Sequence, residues 1–343
     1  MKAVVKVAPE PGAQLLDVPS RSPAEGEVRV KIIVAAICGS DVHVYDWVPR
    51  VAKSNMALPR IMGHEYCGRV LEVGAGVKNV EPGDLVAGET HIPCGNCHLC
   101  HLGKPHICQN LKIVGRQTDG CFSEEMVVPA PGVYKLPRDF PPDAAAVLEP
   151  LGCGVRPLFN EDVGGTTVAV LGAGPIGLFA IAGARALGAA QVVATNRSQL
   201  RLDLAAAMGA TTCLSPERDD IVQAVRALTR GVGADIVLDS TGNAGAFRQG
   251  IEMLRKGGTM LVIGMPSEPV QLDLGPDLCL KEATLRGFHG REMYRTWEKV
   301  VPLVQCGAIP TAPVITHKLP LADFAAGFAA AAERRAGKVL LVP

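Results

Sequence analysis

Residues 167–177 read TVAVLGAGPIG, and this stretch decides the fold of the second half of the chain. A short, continuous apolar run such as residues 167–171 is typical of a strand buried on both faces of a parallel sheet. The pattern GxGxxG follows at once and opens a helical run that extends to Leu187. A lone GxGxxG is weak evidence, but its position between a strand and a helix predicts a dinucleotide-binding turn.

The residues of this turn have separate tasks. Gly172 makes the tight turn, Gly174 lets a pyrophosphate approach the backbone, and Gly177 allows close packing of helix and strand. Pro175 stands at the helix start, whose N-terminal end favours the phosphate charge.

The pattern continues on the C-terminal side of this turn. Residues 198–208 read as a helix with Ser198 as N-cap. Strand-like runs occupy residues 191–195, 212–214, 235–239, 260–264 and 283–288, with helical stretches between them. Strands that alternate with helices predict a doubly wound parallel sheet, so the fold class is α/β.

Asn196 and Arg197 follow the second strand of this region, where an Asp or Glu would hold the ribose hydroxyls of NAD. Without the carboxylate a 2′-phosphate is not repelled, and Arg197 can pair with it, which favours NADP slightly. The alternative is that Arg197 points to solvent while Asn196 binds the ribose as a neutral acceptor. The cofactor is therefore predicted to be NAD or NADP.

The N-terminal half has a different character. Residues 28–34, 66–74, 85–86 and 120–128 read as strands separated by Pro and Gly turns, and residues 338–342 add a strand at the C-terminus. We therefore predict a β-rich domain over residues 1–150, a dinucleotide-binding domain over residues 151–290, and a return to the first domain over residues 291–343.

A thiol, an imidazole and a carboxylate lie close together in the sequence of the β-rich part, at Cys38, His64 and Glu65. Zinc accepts all three ligand types, and a catalytic zinc keeps a fourth position open. Ser40 and His43 follow Cys38, and a hydroxyl and an imidazole there can relay a proton. The alternative is a helix start, with Ser40 or Asp41 as N-cap and His43 exposed.

Four cysteines form the strongest local signal, a C-x2-C-x2-C-x7-C array at Cys94, Cys97, Cys100 and Cys108. This spacing predicts a closed structural zinc site. An iron–sulfur cluster is the alternative, although the fourth cysteine of that motif comes sooner and precedes Pro. The chain has 11 cysteines and no secretory signal, which favours metal binding over disulfides.

Two further polar residues stand near these motifs. Glu149 lies in an apolar helical run, where a charged residue needs a partner, and a metal or its bound water would supply one. The alternative is an exposed Glu before Pro150. His91 precedes the cysteine array and either lines a substrate cleft or caps a turn.

Composition excludes several classes of function. The 343 residues carry 34 Lys+Arg and 34 Asp+Glu, so the chain lacks the basic charge of nucleic-acid binders. No apolar run has the length and purity of a membrane span. The N-terminus is too short and interrupted for a signal peptide, so we expect a cytoplasmic protein.

GHE at residues 63–65, the four-cysteine array and GAGPIG at residues 172–177 together resemble the zinc-dependent medium-chain alcohol dehydrogenases. The resemblance covers the whole chain. It implies a GroES-like β domain with two zinc ions, a Rossmann domain, and oxidation of a small-molecule secondary alcohol. Many members are tetramers, so the resemblance also implies a homo-oligomer.

The resemblance also implies roles for individual residues. Cys38, His64 and Glu65 would bind the catalytic zinc, with Glu149 as an exchangeable ligand or a support for zinc-bound water. Ser40 and His43 would form the proton relay, and His91 would influence substrate choice. The implied cofactor contacts are Ile176, Asn196, Arg201, the turn of Ile263, Gly264 and Met265, and the pair Phe288 and His289.

Four stretches resemble the threonine-oxidising branch of the family: CGSDVH at residues 38–43, GETHI at 88–92, GREMYRTW at 290–297 and ITH at 315–317. The chain departs from that branch at Asn196, where an acid is usual, at residues 151–156 and at Phe288–His289. Polyol and butanediol dehydrogenases share the same motifs and form the alternative. A relative that binds nucleotide without catalysis, or a zinc-free quinone reductase, is disfavoured by the intact metal-ligand sets.

Overall fold

The computed structural model describes residues 1–54, 56–266 and 268–343. Its strands, numbered in chain order, are β1 Lys2–Lys6, β2 Gln14–Asp17, β3 Glu27–Ala36, β4 Arg60–Ile61, β5 Glu65–Val73, β6 Leu85–Gly88, β7 His91–Ile92, β8 Lys112–Ile113, β9 Glu125–Pro129, β10 Val133–Lys135, β11 Thr167–Leu171, β12 Gln191–Thr195, β13 Thr212–Leu214, β14 Ala234–Asp239, β15 Leu254–Val262, β16 Thr284–Gly287, β17 Ile315–Pro320 and β18 Lys338–Val342.

The α-helices are α1 Gly39–Tyr45, α2 Pro49–Ala52, α3 His98–His101, α4 Pro142–Ala146, α5 Leu148–Val155, α6 Pro175–Ala186, α7 Gln199–Ala207, α8 Ile221–Leu228, α9 Ala244–Met253, α10 Arg295–Gln305 and α11 Phe324–Ala332. Within the described ranges, no helix is both long enough and apolar enough to cross a membrane.

The chain divides into two compact units. The first contains Met1–Glu149, Arg291–Lys299 and Ile315–Pro343, and the second contains Pro150–Gly290 and Val300–Val314. The segment 291–343, predicted as one return to the first domain, is thus shared between the units, and the predicted boundaries stay a prediction.

The first unit is built on a mostly antiparallel sheet. Its strands run in the order β10-β6-β5-β3-β18-β17, and β9 also pairs with β3. Alternate side chains of β3, such as Val28, Val30 and Ile32, point into a core that also contains Phe122 and Phe328. Smaller sheets β2-β1-β4 and β7-β8 complete the unit.

The register of the central strands decides where the metal-ligand residues meet. β3 and β5 are antiparallel and pair Ala36 with Glu65, so Cys38 emerges next to His64. β18 lies on the other side of β3 and pairs Leu340 with Ala36, which brings Lys338 to the same end of the sheet.

The second unit is a parallel sheet with strand order β13-β12-β11-β14-β15-β16. The order changes direction between β11 and β14, and the crevice outside the carboxyl ends of strands at such a point is where open α/β sheets bind ligands. Val168, Ala169 and Val170 are fully buried, as a strand covered on both faces requires. The predicted α/β class, a β-rich domain plus a doubly wound parallel sheet, is confirmed.

One predicted strand was wrong, and so was the N-cap of one stated alternative. Residues 120–128 do not form one strand, because β9 starts only at Glu125; the buried Phe122 packs below Gly63 instead. The N-cap of α1 is Cys38, not Ser40 or Asp41, because the helix already starts at Gly39. Asp41 is the third residue of that helix and accepts a hydrogen bond from the Cys38 backbone N–H at 3.0 Å.

Candidate active site

Three side chains of the first unit converge at the end of β3. One ligand atom each from Cys38, His64 and Glu65 lies within 4.8 Å of the other two. Gly63 allows the approach: its φ is +91°, and a Cβ there would lie 2.4 Å from the ring of Phe122. Sulfur, imidazole nitrogen and carboxylate oxygen at this spacing fit a zinc ion with an open fourth position.

Asp41 orients the histidine of this group. Its Oδ1 atom lies 3.1 Å from Nδ1 of His64, and both side chains are buried. A carboxylate that accepts a hydrogen bond from Nδ1–H leaves Nε2 as the nitrogen for a metal and fixes the ring. Sequence reasoning treated Asp41 only as a possible cap, although a carboxylate so near Cys38 was the available signal.

Lys338 neutralises the carboxylate of the group. Its Nζ donates to Oε1 of Glu65 at 2.5 Å, to Oε2 of the same residue, and to the carbonyl of Ile37 at 3.0 Å. Lys338 and Glu65 are both buried, where an unpaired charge would be costly. Glu65 therefore faces two cationic partners once a metal binds. Lys338 could not be identified from the sequence, because it lies 273 residues from Glu65 along the chain.

Ser40 and His43 lie three residues apart on α1, so they share one side of the helix. His43 is exposed, as the alternative expected, but desolvation of part of its imidazole, followed by the charges of Arg50 and Arg116, lowers its pKa below 6.5. A neutral imidazole can accept a proton, as a relay requires.

A buried polar cluster surrounds His91 and Glu149. Nδ1 of His91 lies 2.7 Å from Oε1 of Glu89, and Nη2 of Arg291 donates to the same oxygen at 2.6 Å. Nη1 of Arg291 donates to Oε1 of Glu149, and Nε1 of Trp297 donates to Oε2 of Glu89 at 2.7 Å. Arg291 thus joins both carboxylates, and Glu149 is buried beside a cation rather than exposed before Pro150.

The positive charge of this cluster favours the ionised form of Glu89. Burial alone would raise the pKa of Glu89, but the guanidinium of Arg291 and the hydrogen bond with His91 hold it far below its usual range. Sequence reasoning assigned no role to Glu89, Arg291 or Trp297, although all three lie in stretches that carry the family resemblance.

The four cysteines of the array form a second metal-ligand group. Sγ of Cys97 lies 3.5 Å from that of Cys100 and 3.7 Å from that of Cys108, and Cys108 lies 3.4 Å from Cys94. Zn–S bonds of about 2.3 Å in a tetrahedron give S···S distances close to these. Backbone N–H groups of Cys100 and Gln109 lower the pKa of Cys97 to about 6, which favours the thiolate that zinc binds.

The glycine turn of the second unit has the close contacts of a dinucleotide site. Gly172 has φ +86°, and a Cβ on Gly177 would lie 1.9 Å from the Gly172 carbonyl oxygen. Gly174 is the N-cap of α6, followed by Pro175 and Ile176 in its first turn. A Cβ on Gly174 would meet Nη1 of Arg201 at 3.4 Å.

The other predicted cofactor residues lie at the ends of β12, β15 and β16. Oδ1 of Asn196 accepts from the Ser198 N–H at 3.0 Å, and Arg197 is exposed. Ile263 and Gly264 donate backbone hydrogen bonds to the Asp239 carbonyl, and Met265 follows them, 65% exposed.

Arg156 fixes the last pair of cofactor residues. Its guanidinium lies 5.5 Å from the ring centre of Phe288 and donates to the His289 carbonyl at 2.8 Å. Sequence reasoning had noted Arg156 only as part of a departure from the family pattern.

Comparison with known proteins agrees with both halves of this geometry. The alcohol dehydrogenase GroES-like domain matches residues 24–138, and the zinc-binding dehydrogenase domain matches residues 175–305. An L-threonine 3-dehydrogenase of Bacillus licheniformis is 44% identical over 100% of this chain and 99% of its own length. The chain belongs to the zinc-dependent alcohol dehydrogenases.

Solved structures share the fold over the whole chain. A zinc-binding dehydrogenase of Sinorhizobium meliloti bound to NADP has a TM-score of 0.91 and 29% identity, covering 100% of this chain and 99% of that chain. The 2R,3R-butanediol dehydrogenase of Bacillus subtilis has a TM-score of 0.90 and 27% identity with the same coverage.

As a zinc-dependent alcohol dehydrogenase, the protein is an oxidoreductase that acts on the CH–OH group of a small-molecule alcohol with zinc and a nicotinamide cofactor. The sequence-based prediction of the family and its resemblance to the threonine-oxidising branch are confirmed.

Proposed function

We propose that this dehydrogenase oxidises the 3-hydroxyl of L-threonine to give 2-amino-3-oxobutanoate. The identity of 44% with a threonine dehydrogenase over the whole chain carries the proposal. It exceeds the 27% identity with the butanediol dehydrogenase, whose structure has a TM-score of 0.90.

We propose one catalytic and one structural zinc per chain. Cys38, His64 and Glu65 would hold the catalytic ion, with Glu149 as an exchangeable ligand or a support for bound water. The four-cysteine array would hold the structural ion, which replaces hydrophobic core in a loop of small helices and turns. The mutual spacing of the ligand atoms supports both sites.

When bound, zinc supplies Lewis acidity at the substrate hydroxyl and the nicotinamide accepts a hydride. Ser40 takes the hydroxyl proton and passes it to His43, whose lowered pKa keeps its imidazole neutral near pH 7. His91, held by Glu89, contacts the substrate and influences its choice. Arg291 keeps Glu149 in place through its Nη1 hydrogen bond.

We propose that the enzyme uses NAD or NADP, with a slight preference for NADP. Asn196 offers no negative charge at the end of β12, and its Oδ1 atom accepts from the Ser198 N–H. The exposed Arg197 beside it is suited to a 2′-phosphate.

The second candidate function is a butanediol or polyol dehydrogenase. The motivating observation is the whole-chain similarity to a butanediol dehydrogenase, with a TM-score of 0.90. Asn196, Phe288 and His289, which depart from the threonine-oxidising branch, are compatible with it.

The test is the appearance of reduced nicotinamide absorbance with purified enzyme. L-threonine, 2,3-butanediol and a set of sugar alcohols are each offered with NAD and with NADP. We expect fast reduction with L-threonine; turnover of a diol or polyol without any of threonine would favour the second candidate. Zinc analysis on the same sample should give about two ions per chain.

We also propose that the protein is a homo-oligomer, namely a tetramer. β16 supports this, because it is the edge strand of the parallel sheet and all four of its residues are exposed. Unpaired edge strands offer their backbone groups to another chain. The cytoplasmic location expected from the sequence stays a prediction.

A further inference from the structure

The segment Asp239–Gly242 follows β14 at the point where the strand order of the parallel sheet changes direction. It reads DSTG, and none of the predicted cofactor residues lies in it. The carboxyl ends of β11 and β14 flank the crevice in which such sheets bind a dinucleotide. The segment therefore lies at the ligand-binding edge without having been assigned a role.

Ser240 connects this segment to the glycine turn. Its hydroxyl lies 2.8 Å from the Gly172 carbonyl oxygen and 3.0 Å from that of Leu171. The same Gly172 oxygen packs against Gly177, where a Cβ would come within 1.9 Å. The oxygen is thus held between the Ser240 hydroxyl and the first turn of α6.

The backbone of the segment holds the second predicted cofactor turn. The Asp239 carbonyl accepts from the Ile263 N–H at 2.9 Å and from the Gly264 N–H at 3.0 Å. A Cβ on Gly264 would lie 2.3 Å from the Gly242 nitrogen, so the two loops are packed backbone to backbone.

The Asp239 side chain makes the segment rigid. Its Oδ1 atom accepts from the Thr241 N–H at 2.8 Å and from the Thr241 hydroxyl at 2.6 Å. The residue is fully buried, and burial raises the pKa of its carboxyl. Ser240 is consequently presented to Gly172 from a fixed loop.

We propose that Ser240 is a positioning residue for the cofactor pyrophosphate. By holding the Gly172 carbonyl, its hydroxyl fixes the first turn of α6 relative to β11. The backbone N–H groups of that turn, at Ile176 and Gly177, are the ones a phosphate binds at a helix N-terminus. The proposal rests on the nicotinamide cofactor of the family and not on threonine as the substrate.

The test compares Ser240→Ala with Thr166→Ala in the zinc-loaded enzyme. Thr166 is a matched control because its hydroxyl donates to the Val163 carbonyl at 2.8 Å at the opposite end of β11. Calorimetric titration measures the Kd of NAD, NADP and ADP-ribose, which contain the pyrophosphate, and of adenosine, which lacks it. Thermal unfolding shows whether each variant is folded.

For Ser240→Ala we expect the Kd of the three pyrophosphate ligands to rise about five- to tenfold, which corresponds to the loss of one hydrogen bond. The Kd of adenosine should stay within about twofold, and Thr166→Ala should change none of the four. An unchanged ADP-ribose Kd, or an equal loss for adenosine, overturns the proposal.

Ser240→Thr is the second variant, because it keeps the hydroxyl at a half-buried position. ADP-ribose affinity equal to that of the wild type supports the role of the hydroxyl, whereas a loss equal to that of Ser240→Ala contradicts it. A failure of the threonine assay leaves these Kd values unaffected, so the two proposals fail separately.

Discussion

His43 is the residue whose protonation should set the acid side of the pH profile. Only the neutral imidazole accepts a proton, and burial together with Arg50 and Arg116 lowers its pKa below 6.5. The value of kcat/KM should therefore be constant near neutral pH and fall as the pH drops through this lowered pKa. Its pH dependence, measured in the direction of alcohol oxidation, checks this.

Arg50→Gln tests one contribution to the lowered pKa, the charge of Arg50, which follows burial. Removing the charge should shift the apparent pKa of the acid limb to higher pH, towards 6.5, by a few tenths of a pH unit or about one at most. Arg335→Gln is the control, because Arg335 is exposed and pairs with Glu333. A limb that survives in His43→Ala would remove His43 from the relay, whereas a limb that stays in place in Arg50→Gln would leave burial and Arg116 as the causes of the lowered pKa.

Trp297 provides a second prediction at the scale of single residues. Trp297→Phe removes the Nε1–H that donates to Glu89 but keeps an aromatic ring stacked on Tyr134. The ring centroids of Trp297 and Tyr134 are 5.2 Å apart. Leaving a buried carboxylate short of one partner should destabilise the protein by about 1–3 kcal/mol. It should also lower kcat/KM, because Glu89 holds His91 and Arg291.

Thermal unfolding and steady-state kinetics measure both effects. Tyr134→Phe is the matched control, since it removes a hydroxyl that donates to the exposed Glu298 carboxylate at 2.7 Å. Equal unfolding midpoints and equal kcat/KM for the two variants would mean that the hydrogen bond from Trp297 to Glu89 contributes nothing particular to stability or catalysis.

At the scale of elements, the cysteine array should behave as an independent metal site. Cys97→Ser should reduce the zinc content from about two ions per chain to about one, because a closed site needs all four thiolates. Cys306→Ser is the control, since Cys306 is exposed and lies outside both ligand groups. Atomic emission analysis after dialysis gives the counts.

Hydrogen exchange over residues 94–113 accompanies that measurement. The metal replaces a hydrophobic core there, so protection of these amides should decrease in Cys97→Ser but not in Cys306→Ser. Full zinc content in Cys97→Ser would show that the Cys97 thiolate is dispensable and that the site is not closed.

Local elements could be predicted where a single hydrophobic pattern determines the secondary structure. The strands β11, β12, β13 and β18 have the predicted bounds, because each is a short apolar run between turn residues. The approach of Cys38 to His64 needs the pairing of β3 with β5 in addition to two local signals, a strand end and a glycine. The run 120–128 was predicted wrongly because apolar alternation does not reveal how long a ladder a segment will form. Its first part makes only an isolated bridge, between Ser123 and Ala3, whereas its second part pairs with β3.

Pairings across the chain were beyond a single sequence. Lys338 meets Glu65 because β18 joins the sheet beside β3, and Arg291 meets Glu89 across 202 residues. Hydrophobic pattern fixes which face of a strand is buried but not which strands are neighbours. Buried charges signalled that partners exist, as with Glu149, without identifying them.

At the scale of the whole molecule, the exposed edge of the parallel sheet should form the interface between copies of the chain. Leu285 on β16 is 40% exposed, and Leu274 and Leu280 nearby in sequence are 61% and 73% exposed. An unpaired edge with apolar side chains favours a second copy of the chain, and a charge on it opposes pairing. Leu285→Lys should therefore lower the mass of the particle measured by light scattering after gel filtration.

Leu200→Lys is the matched control, because Leu200 is 41% exposed but lies on α7. It introduces the same charge at the same exposure and should leave the mass unchanged. Dissociation should appear in Leu285→Lys with unchanged zinc content, since both metal-ligand groups belong to the other unit. An unaltered mass in Leu285→Lys, or equal dissociation in both variants, would move the interface away from β16.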